Sequence, residues 1–187
     1  REHRYSLRAG FDDDGVMTVL DADIVCNVGA YSCYPVTFGV EPLMAMAEMP
    51  GPYRVGEYRA RARAILTNLC PIAPYRGVAR PVITLALERL MDTAALQLGL
   101  DPVEIRLRNL IDEFPHTSPT GLVYDEGSYQ EVLRRAVTVV DLPSFRQRQR
   151  LLREQGRFIG VGFSTFSERT GYGTSAFAVR KMDVTLG

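Results

Sequence analysis

The sequence predicts a mixed α/β fold of the α+β class, in which a β-hairpin and further strands flank a helical middle. Three observations support this class: apolar and polar residues alternate near both ends, apolar residues recur at helical spacing in the middle, and Gly, Pro and Asp separate these stretches. A chain of 187 residues is long enough to bury one hydrophobic core. We therefore expect a single unit over 1–187, with mainly strands in 1–70, a loop and helices in 71–156, and strands with a Gly-rich loop in 157–187.

The first two strands are expected to form a hairpin. Residues 4–9 and 16–25 are β-like runs, and the turn residues Phe11–Gly15 lie between them. The Asp14–Gly15 pair favours a tight turn, because Gly tolerates the positive φ that such a turn needs. A calcium loop at the three consecutive Asp residues lacks the rest of the required ligand spacing, so we expect a solvated turn.

A third strand is predicted over residues 58–68, where Arg and Ala alternate. The alternation places Arg59, Arg61 and Arg63 on one face of that strand. Two interpretations of this face remain open, because a row of arginines suits solvent-exposed ion pairs and also suits a ridge that binds an anion.

Five helices are predicted from apolar spacing and from residues that favour helix ends. Their ranges are 41–49, 82–98, 102–111, 128 to about 140, and 143–155. Gly99 ends the second helix, Asp101 caps the third, and Ser128 opens a capping box for the fourth. The Met residues of the first helix are expected to fill the core. Further strands are expected over 158–166 and at the C-terminal end.

Composition excludes several classes of function. Lys plus Arg and Asp plus Glu both number 22, so the chain lacks the basic excess of an electrostatically driven nucleic-acid binder. No apolar run approaches the roughly 18 residues of a membrane-spanning helix. Three widely spaced Cys residues indicate a reducing, cytoplasmic location rather than a disulfide framework. Strand-like patterns run up to both ends, and we expect the chain to be a piece of a longer polypeptide.

Metal and nucleophile motifs are weak in this sequence. His3 and His116 are too few and too isolated for a histidine metal site or a Ser/His/Asp triad, and His116 is expected to be a loop residue. The Cys spacing fits neither zinc nor an iron–sulfur cluster. Cys70 is expected to be a small, buried apolar residue.

Two segments suggest ligand binding, although each also suits a purely structural role. The first is Cys70–Pro81, a Pro-stiffened loop before a helix, in which Gly77 permits close backbone approach and Arg76 offers a two-pronged grip on an oxyanion. The second is Ser164–Thr174, where Glu168 and Tyr172 lie beside a glycine turn. The structural alternatives are a connecting loop and a surface hairpin, respectively.

A family resemblance covers nearly the whole chain. The stretch AILTNLCPIAPYRGVARPVITLALERLMDTAALQLGLDPVEIRLRNLI resembles the molybdopterin-binding large subunit of the xanthine dehydrogenase/aldehyde oxidase family, in particular its branch with the carbon monoxide dehydrogenase large chain. The stretches GFDDDGVMTVLDADIVCNVGAYS, GPYRV, FPHTSPTGLVYDEGSY and GRFIGVGFSTFSERTG agree with that family in the same order.

The resemblance implies specific roles. Arg76, Gly77 and Tyr75 would bind the cofactor, and Val78, Glu168 and Tyr172 would border the substrate pocket. It implies no catalytic residue within this chain, because the general-base Glu of the family lies outside it, and no metal-ligating residue. The resemblance also disfavours two activities. Gly77 replaces the Cys of the carbon monoxide oxidiser, and the purine branch has Phe at the position of Val78 and an Arg within the segment matching 41–49.

The resemblance further implies cofactors and partners. The cofactor would be molybdopterin, as a molybdopterin cytosine dinucleotide, with [2Fe-2S] and FAD held by partner subunits. The assembly would be a dimer of heterotrimers that also contains the remainder of the large subunit, and its reaction would be hydroxylation of an aldehyde or N-heterocycle. Two alternatives remain: a non-catalytic scaffold or assembly module of the same fold, and a stand-alone domain that binds anions through Arg76 and the Arg59–Arg63 face.

Overall fold

The computed structural model describes residues 2–33 and 38–168. Its sheet contains β1 (Glu2–Phe11), β2 (Met17–Gly29) and β3 (Glu57–Leu66) in that order. The β1–β2 pair is antiparallel and the β2–β3 pair is parallel. In the hairpin turn, the Asp12 carboxylate accepts hydrogen bonds from the main-chain N–H groups of Asp14 at 3.1 Å and Val16 at 2.8 Å. The predicted hairpin and its solvated turn are confirmed.

The arginine face of β3 forms ion pairs with β2. Arg63 binds Asp23 at 2.8 Å, and Arg59 binds Asp21. The parallel register places Asp21 directly beside Arg59, whereas Asp23 lies beside Arg61 and is reached diagonally by Arg63. The ion-pair interpretation is therefore confirmed for these two arginines.

The helix α1 (Val40–Glu48) lies in the crossover between β2 and β3 and packs on both strands. Its Met44 and the following Met49 are buried in the core together with Ile24 and Leu20 of β2. The prediction that these methionines fill the core is confirmed.

Four more helices follow, with the bounds α2 (Arg80–Leu98), α3 (Pro102–Asn109), α4 (Tyr129–Val139) and α5 (Leu142–Glu154). Gly99 ends α2 in the left-handed conformation, with φ of +68°. The Asp101 side chain caps α3 by accepting a hydrogen bond from the N–H of Val103 at 2.7 Å. Within the described part of the chain, Ser128 makes no side-chain capping bond, so the predicted capping box is wrong there. Its intended partner Glu131 instead pairs with Arg135 at 2.7 Å.

Two stretches differ from the predicted elements. The turn-rich connection after α3 contains a small hairpin, β4 (His116–Thr117) and β5 (Val123–Tyr124), so His116 begins a strand instead of lying in a loop. Residues 158–166 form no strand within the described ranges. Side chains satisfy part of this backbone, since Gln149 donates to the carbonyl of Ile159 at 2.8 Å. The last predicted strand lies outside the described residues.

Cys70 is exposed, which corrects the expectation of a buried residue. Its main chain packs against Gly29, and a Cβ added to Gly29 would lie 2.3 Å from the carbonyl oxygen of Cys70. The main chain of Cys70 therefore packs against β2, while the residue as a whole remains exposed. Cys26 of β2 is the buried thiol, and burial, followed by the charge of Glu41, raises the pKa of Cys26 to about 12. None of the helices among the described residues combines the length and apolar character needed to cross a membrane.

Candidate functional site

The loop before α2 is bound to the end of β2 by its main chain. The N–H of Ala30 donates to the carbonyl of Leu69 at 3.0 Å, and the N–H of Ile72 donates to the carbonyl of Val28 at 3.1 Å. Gly29 lies between these bonds with φ of +81°, in a region that favours glycine. The close approach of the two backbones fixes where the loop leaves the sheet.

Residues 75–78, here called the loop tip, extend outward from this attachment. Tyr75 is 87% exposed, Arg76 is exposed, and the Arg76 guanidinium lies 5.3 Å from the centre of the Tyr75 ring. Gly77 has φ of +74° and Val78 has φ of +46°. A β-branched residue is rarely found at positive φ, and such strained backbone is concentrated at functional sites. The loop tip therefore combines an accessible cation with an unusual backbone conformation.

Arg80 is the first residue of α2 and is buried immediately after the loop tip. Its guanidinium contacts Glu48 of α1 at 2.5 and 2.9 Å and Glu168 at 3.1 Å. A cation at a helix N-terminus is unfavourable for the helix dipole, so carboxylates must hold it there. Arg80 therefore joins α1, the start of α2 and the segment containing Glu168.

A second buried network, here called the anchor, consists of Glu88, Arg106, Tyr53 and Thr165. Glu88 accepts hydrogen bonds from the Arg106 Nε at 2.8 Å, from the Tyr53 hydroxyl at 2.5 Å and from the main-chain N–H of Thr165 at 3.0 Å. Burial, followed by the Glu88 charge, raises the pKa of Tyr53 above its ordinary value. The Tyr53 hydroxyl therefore remains a donor at neutral pH, and the anchor fixes the segment around Thr165 on α2.

A cleft of about 370 Å³ opens between the start of α2, the β4–β5 hairpin and residues 165–168. Its lining includes Arg80, Thr84, Tyr124, Asp125, Tyr129 and Glu168. The Tyr124 and Tyr129 rings meet edge to face, with centres 6.4 Å apart. The cleft thus presents charged groups and aromatic rings directly beside the helix that follows the loop tip.

The structure places the predicted site residues at the loop tip and beside α2, and residues 75–78 are not among the described residues that line the cleft. Tyr75, Arg76, Gly77 and Val78 are contiguous at the loop tip, and Arg80 ties Glu168 to the helix that follows them. Tyr172 lies outside the described residues.

Sequence reasoning did not single out Arg80, Glu48 or Glu88. The position of Arg80 at a predicted helix N-terminus was a usable signal, since a cation there needs an acidic partner. No comparable signal marks Glu88. The spacing of apolar residues along α2 does not show that a buried carboxylate lies at this position.

The loop tip suits an anionic ligand that carries phosphate. Arg76 offers several N–H donors. A Cβ added to Gly77, which has a positive φ, would lie 3.3 Å from the Cδ and Cγ atoms of Pro81. Across residues 2–33 and 38–168, no group of three or more His, Cys, Asp or Glu side chains suits a metal ion. The exposed Arg76 guanidinium and the backbone at Gly77 would fit an anionic group such as a phosphate.

Comparison with known proteins places these features in a family. Residues 1–110 match the family model described as the molybdopterin cofactor-binding domain. The nicotine 6-hydroxylase large subunit of Paenarthrobacter nicotinovorans is 38% identical over 92% of this chain and 21% of that protein. The carbon monoxide dehydrogenase large chain of Hydrogenophaga pseudoflava is 30% identical over 87% of this chain and 21% of that protein.

Solved structures agree with the sequence relatives. Quinoline 2-oxidoreductase from Pseudomonas putida 86 superposes with a TM-score of 0.88 at 38% identity, covering 95% of this chain and 23% of that one. The Cu,Mo-containing carbon monoxide dehydrogenase has a TM-score of 0.71 at 22% identity over 82% of this chain and 20% of that one, which shows a shared fold. The chain spans about a fifth of the length of these relatives.

Proposed function

Because the chain belongs to the family of molybdopterin cofactor-binding domains, we propose that its parent protein is a molybdenum hydroxylase. The family includes large subunits of the xanthine dehydrogenase, aldehyde oxidase and carbon monoxide dehydrogenase type. The parent oxidises an aldehyde or an N-heterocycle with an oxygen derived from water. The observation that carries this proposal is the loop tip, an exposed cation beside strained backbone next to a cleft.

The loop tip would hold the cofactor through three residues. Arg76 donates paired N–H groups to an oxyanion of the cofactor, and Gly77 lets the backbone approach it closely. Tyr75 supports the guanidinium of Arg76 with its ring. When bound, the molybdenum cofactor supplies the redox chemistry, while the protein positions it. We propose the cytosine dinucleotide form of molybdopterin as the ligand.

The substrate side of the site would include Val78 and the cleft. Val78 follows the cofactor-binding residues directly, and Glu168 reaches the same region through Arg80. Tyr172 is proposed to border the pocket as well. Gly77 offers no thiol for a copper ion, and Val78 offers no ring for stacking on a purine. We therefore propose that the parent is neither a copper-dependent carbon monoxide oxidiser nor a purine specialist.

Other parts of the assembly are proposed from the relatives. Two relatives are named as a large subunit and as a subunit gamma of a dehydrogenase complex, which supports a multi-subunit parent. We propose that the remainder of the large subunit, a [2Fe-2S] subunit and an FAD subunit complete a dimer of heterotrimers in the cytoplasm. The general base lies in that remainder of the large subunit.

Purification of the parent complex tests this function. We expect stoichiometric molybdenum and a releasable cytosine nucleotide, together with oxidation of quinoline or an aromatic aldehyde. In isotope-labelled water the hydroxylated product should carry the label. Oxidation that takes its oxygen from O₂ would contradict the proposed reaction, and a complex that contains no molybdenum would support the scaffold alternative.

A further inference from the structure

The cleft carries an excess of negative charge among its described lining residues. Glu48, Asp125 and Glu168 are carboxylates, whereas Arg80 is a cation. One positive charge therefore faces three negative ones. A ligand that enters the cleft would therefore meet at least one carboxylate that Arg80 does not fully balance.

Burial separates the two glutamates that contact Arg80. The side chains of Arg80 and Glu48 are only 7% and 9% exposed, and two contacts join them, at 2.5 and 2.9 Å. A buried charge requires such a partner, so Glu48 balances Arg80. Glu168 makes a single contact of 3.1 Å with Arg80, and its side chain is 43% exposed. The charge of Glu168 is therefore accessible from the cleft.

The position of Glu168 is fixed from two directions. Arg80 holds its carboxylate, and the anchor holds Thr165, three residues earlier, through the main-chain N–H and the hydroxyl at 3.0 and 3.1 Å. A group held in place before binding loses little conformational freedom when a ligand arrives. Glu168 is thus a preorganised acceptor.

The opposite wall of the cleft supplies aromatic surface. The Tyr124 hydroxyl donates to the carbonyl of Gly51 at 2.8 Å, which fixes its ring, and Tyr129 packs edge to face against it. Aromatic faces attract cations, and ring edges and apolar side chains such as Ile83 accommodate a flat molecule.

From these observations we infer that the cleft selects a flat organic cation, with Glu168 accepting a hydrogen bond from its protonated nitrogen. Suitable molecules are protonated N-heterocycles and aromatic amines. This inference rests on the proposed function, because it treats the cleft as the substrate side of the site, and it adds the charge of the substrate and the residue that recognises it.

Three probes that share one ring and differ in charge test the inference: benzylammonium, benzyl alcohol and benzoate. Calorimetry on the full-length parent complex at neutral pH should show benzylammonium binding about tenfold more tightly than benzyl alcohol, and benzoate most weakly. Glu168→Gln keeps the shape of the side chain and a hydrogen bond to Arg80. We expect it to remove the preference for benzylammonium while benzyl alcohol affinity stays within about twofold.

Glu126→Gln is the matched control, because Glu126 is an exposed carboxylate near the cleft that does not line it. It should leave all three affinities unchanged. Equal binding of benzylammonium and benzyl alcohol to the wild type, or a preference that survives in Glu168→Gln, would overturn the inference. Molybdenum content measured on the same samples separates the two levels: a complex with full molybdenum but no charge preference retains the proposed function and loses only this assignment.

Discussion

The loop tip and the anchor hold their charged groups in opposite ways. Arg76 is exposed at the loop tip and lies beside the exposed Tyr75 ring. Arg106 of the anchor has a fully buried side chain that contacts Glu88 at 2.8 Å and Asp92 at 2.9 Å. The loop tip carries its cation at the surface, whereas the anchor uses the donors of Arg106 within the protein interior. Exposed and buried arginines are therefore held by different means in the two regions.

Removal of Arg106 should break the anchor with the largest effect. Arg106→Met leaves the Glu88 carboxylate buried without its cation, which costs about 3–5 kcal/mol in the free energy of unfolding. Denaturant titration measures this loss. Arg89→Met on α2, the helix that carries Glu88, is the control, because Arg89 is 72% exposed and should change stability by less than about 1 kcal/mol. Similar losses in both variants would show that the anchor has no special stabilising role.

Gly29→Ala should detach the loop from β2 with a smaller effect. The new Cβ would lie 2.3 Å from the Cys70 carbonyl oxygen, at a φ of +81°, so we expect a loss of about 2 kcal/mol. Gly99→Ala provides the comparison, since its φ is +68° and no atom lies within 4 Å of the added Cβ. It should cost about 1 kcal/mol. Hydrogen exchange at Ala30 and Ile72 reports detachment, and unchanged protection in Gly29→Ala would refute the attachment.

Alkaline pH should weaken the anchor through Tyr53. Burial and Glu88 raise the pKa of Tyr53 above the value in the unfolded chain. Its contribution to stability is therefore fully present below about pH 10, the ordinary pKa of tyrosine, and is lost as the pH rises above it. Denaturation at pH 8 and at pH 10.5 should show lower stability at the higher pH, with a smaller difference in Tyr53→Phe. An identical pH dependence in both proteins would contradict this assignment.

The elements that the sequence predicts correctly are those whose signals are local. The Asp-Gly turn, the Arg–Ala alternation of β3 and the Pro102 helix start each depend on neighbouring residues, and each is confirmed. The Arg76–Gly77 loop carries a local signal of the same kind, and its role in binding stays a prediction. The anchor is different, because Glu88 meets Thr165 and Tyr53 across separations of 77 and 35 residues. Local patterns carry no information about such contacts.

The failed strand prediction over 158–166 has the same origin. Alternating apolar residues suggested a ladder partner, but the partner of Thr165 is a buried carboxylate on α2. The alternation of apolar residues predicts an extended backbone. It does not show whether that backbone pairs with a neighbouring strand or is bound by side chains. The capping-box prediction at Ser128 is wrong for a related reason. The side chain of Glu131, the expected partner of Ser128, pairs with Arg135 one turn later in the helix.

The most direct test of the central claim, that the loop tip holds the cofactor, is the molybdenum content of Arg76 variants of the parent complex. Hydrogen bonds to charged groups contribute about 1.5–3 kcal/mol, so Arg76→Ala should reduce molybdenum content by about tenfold or more under limiting cofactor. Arg76→Lys should restore it only in part, because Lys lacks the planar two-pronged geometry. Arg63→Ala, which removes an exposed arginine of β3, should retain full molybdenum and single-turnover reduction. Normal molybdenum content and turnover in both Arg76 variants would show that Arg76 only supports the loop and would contradict the account.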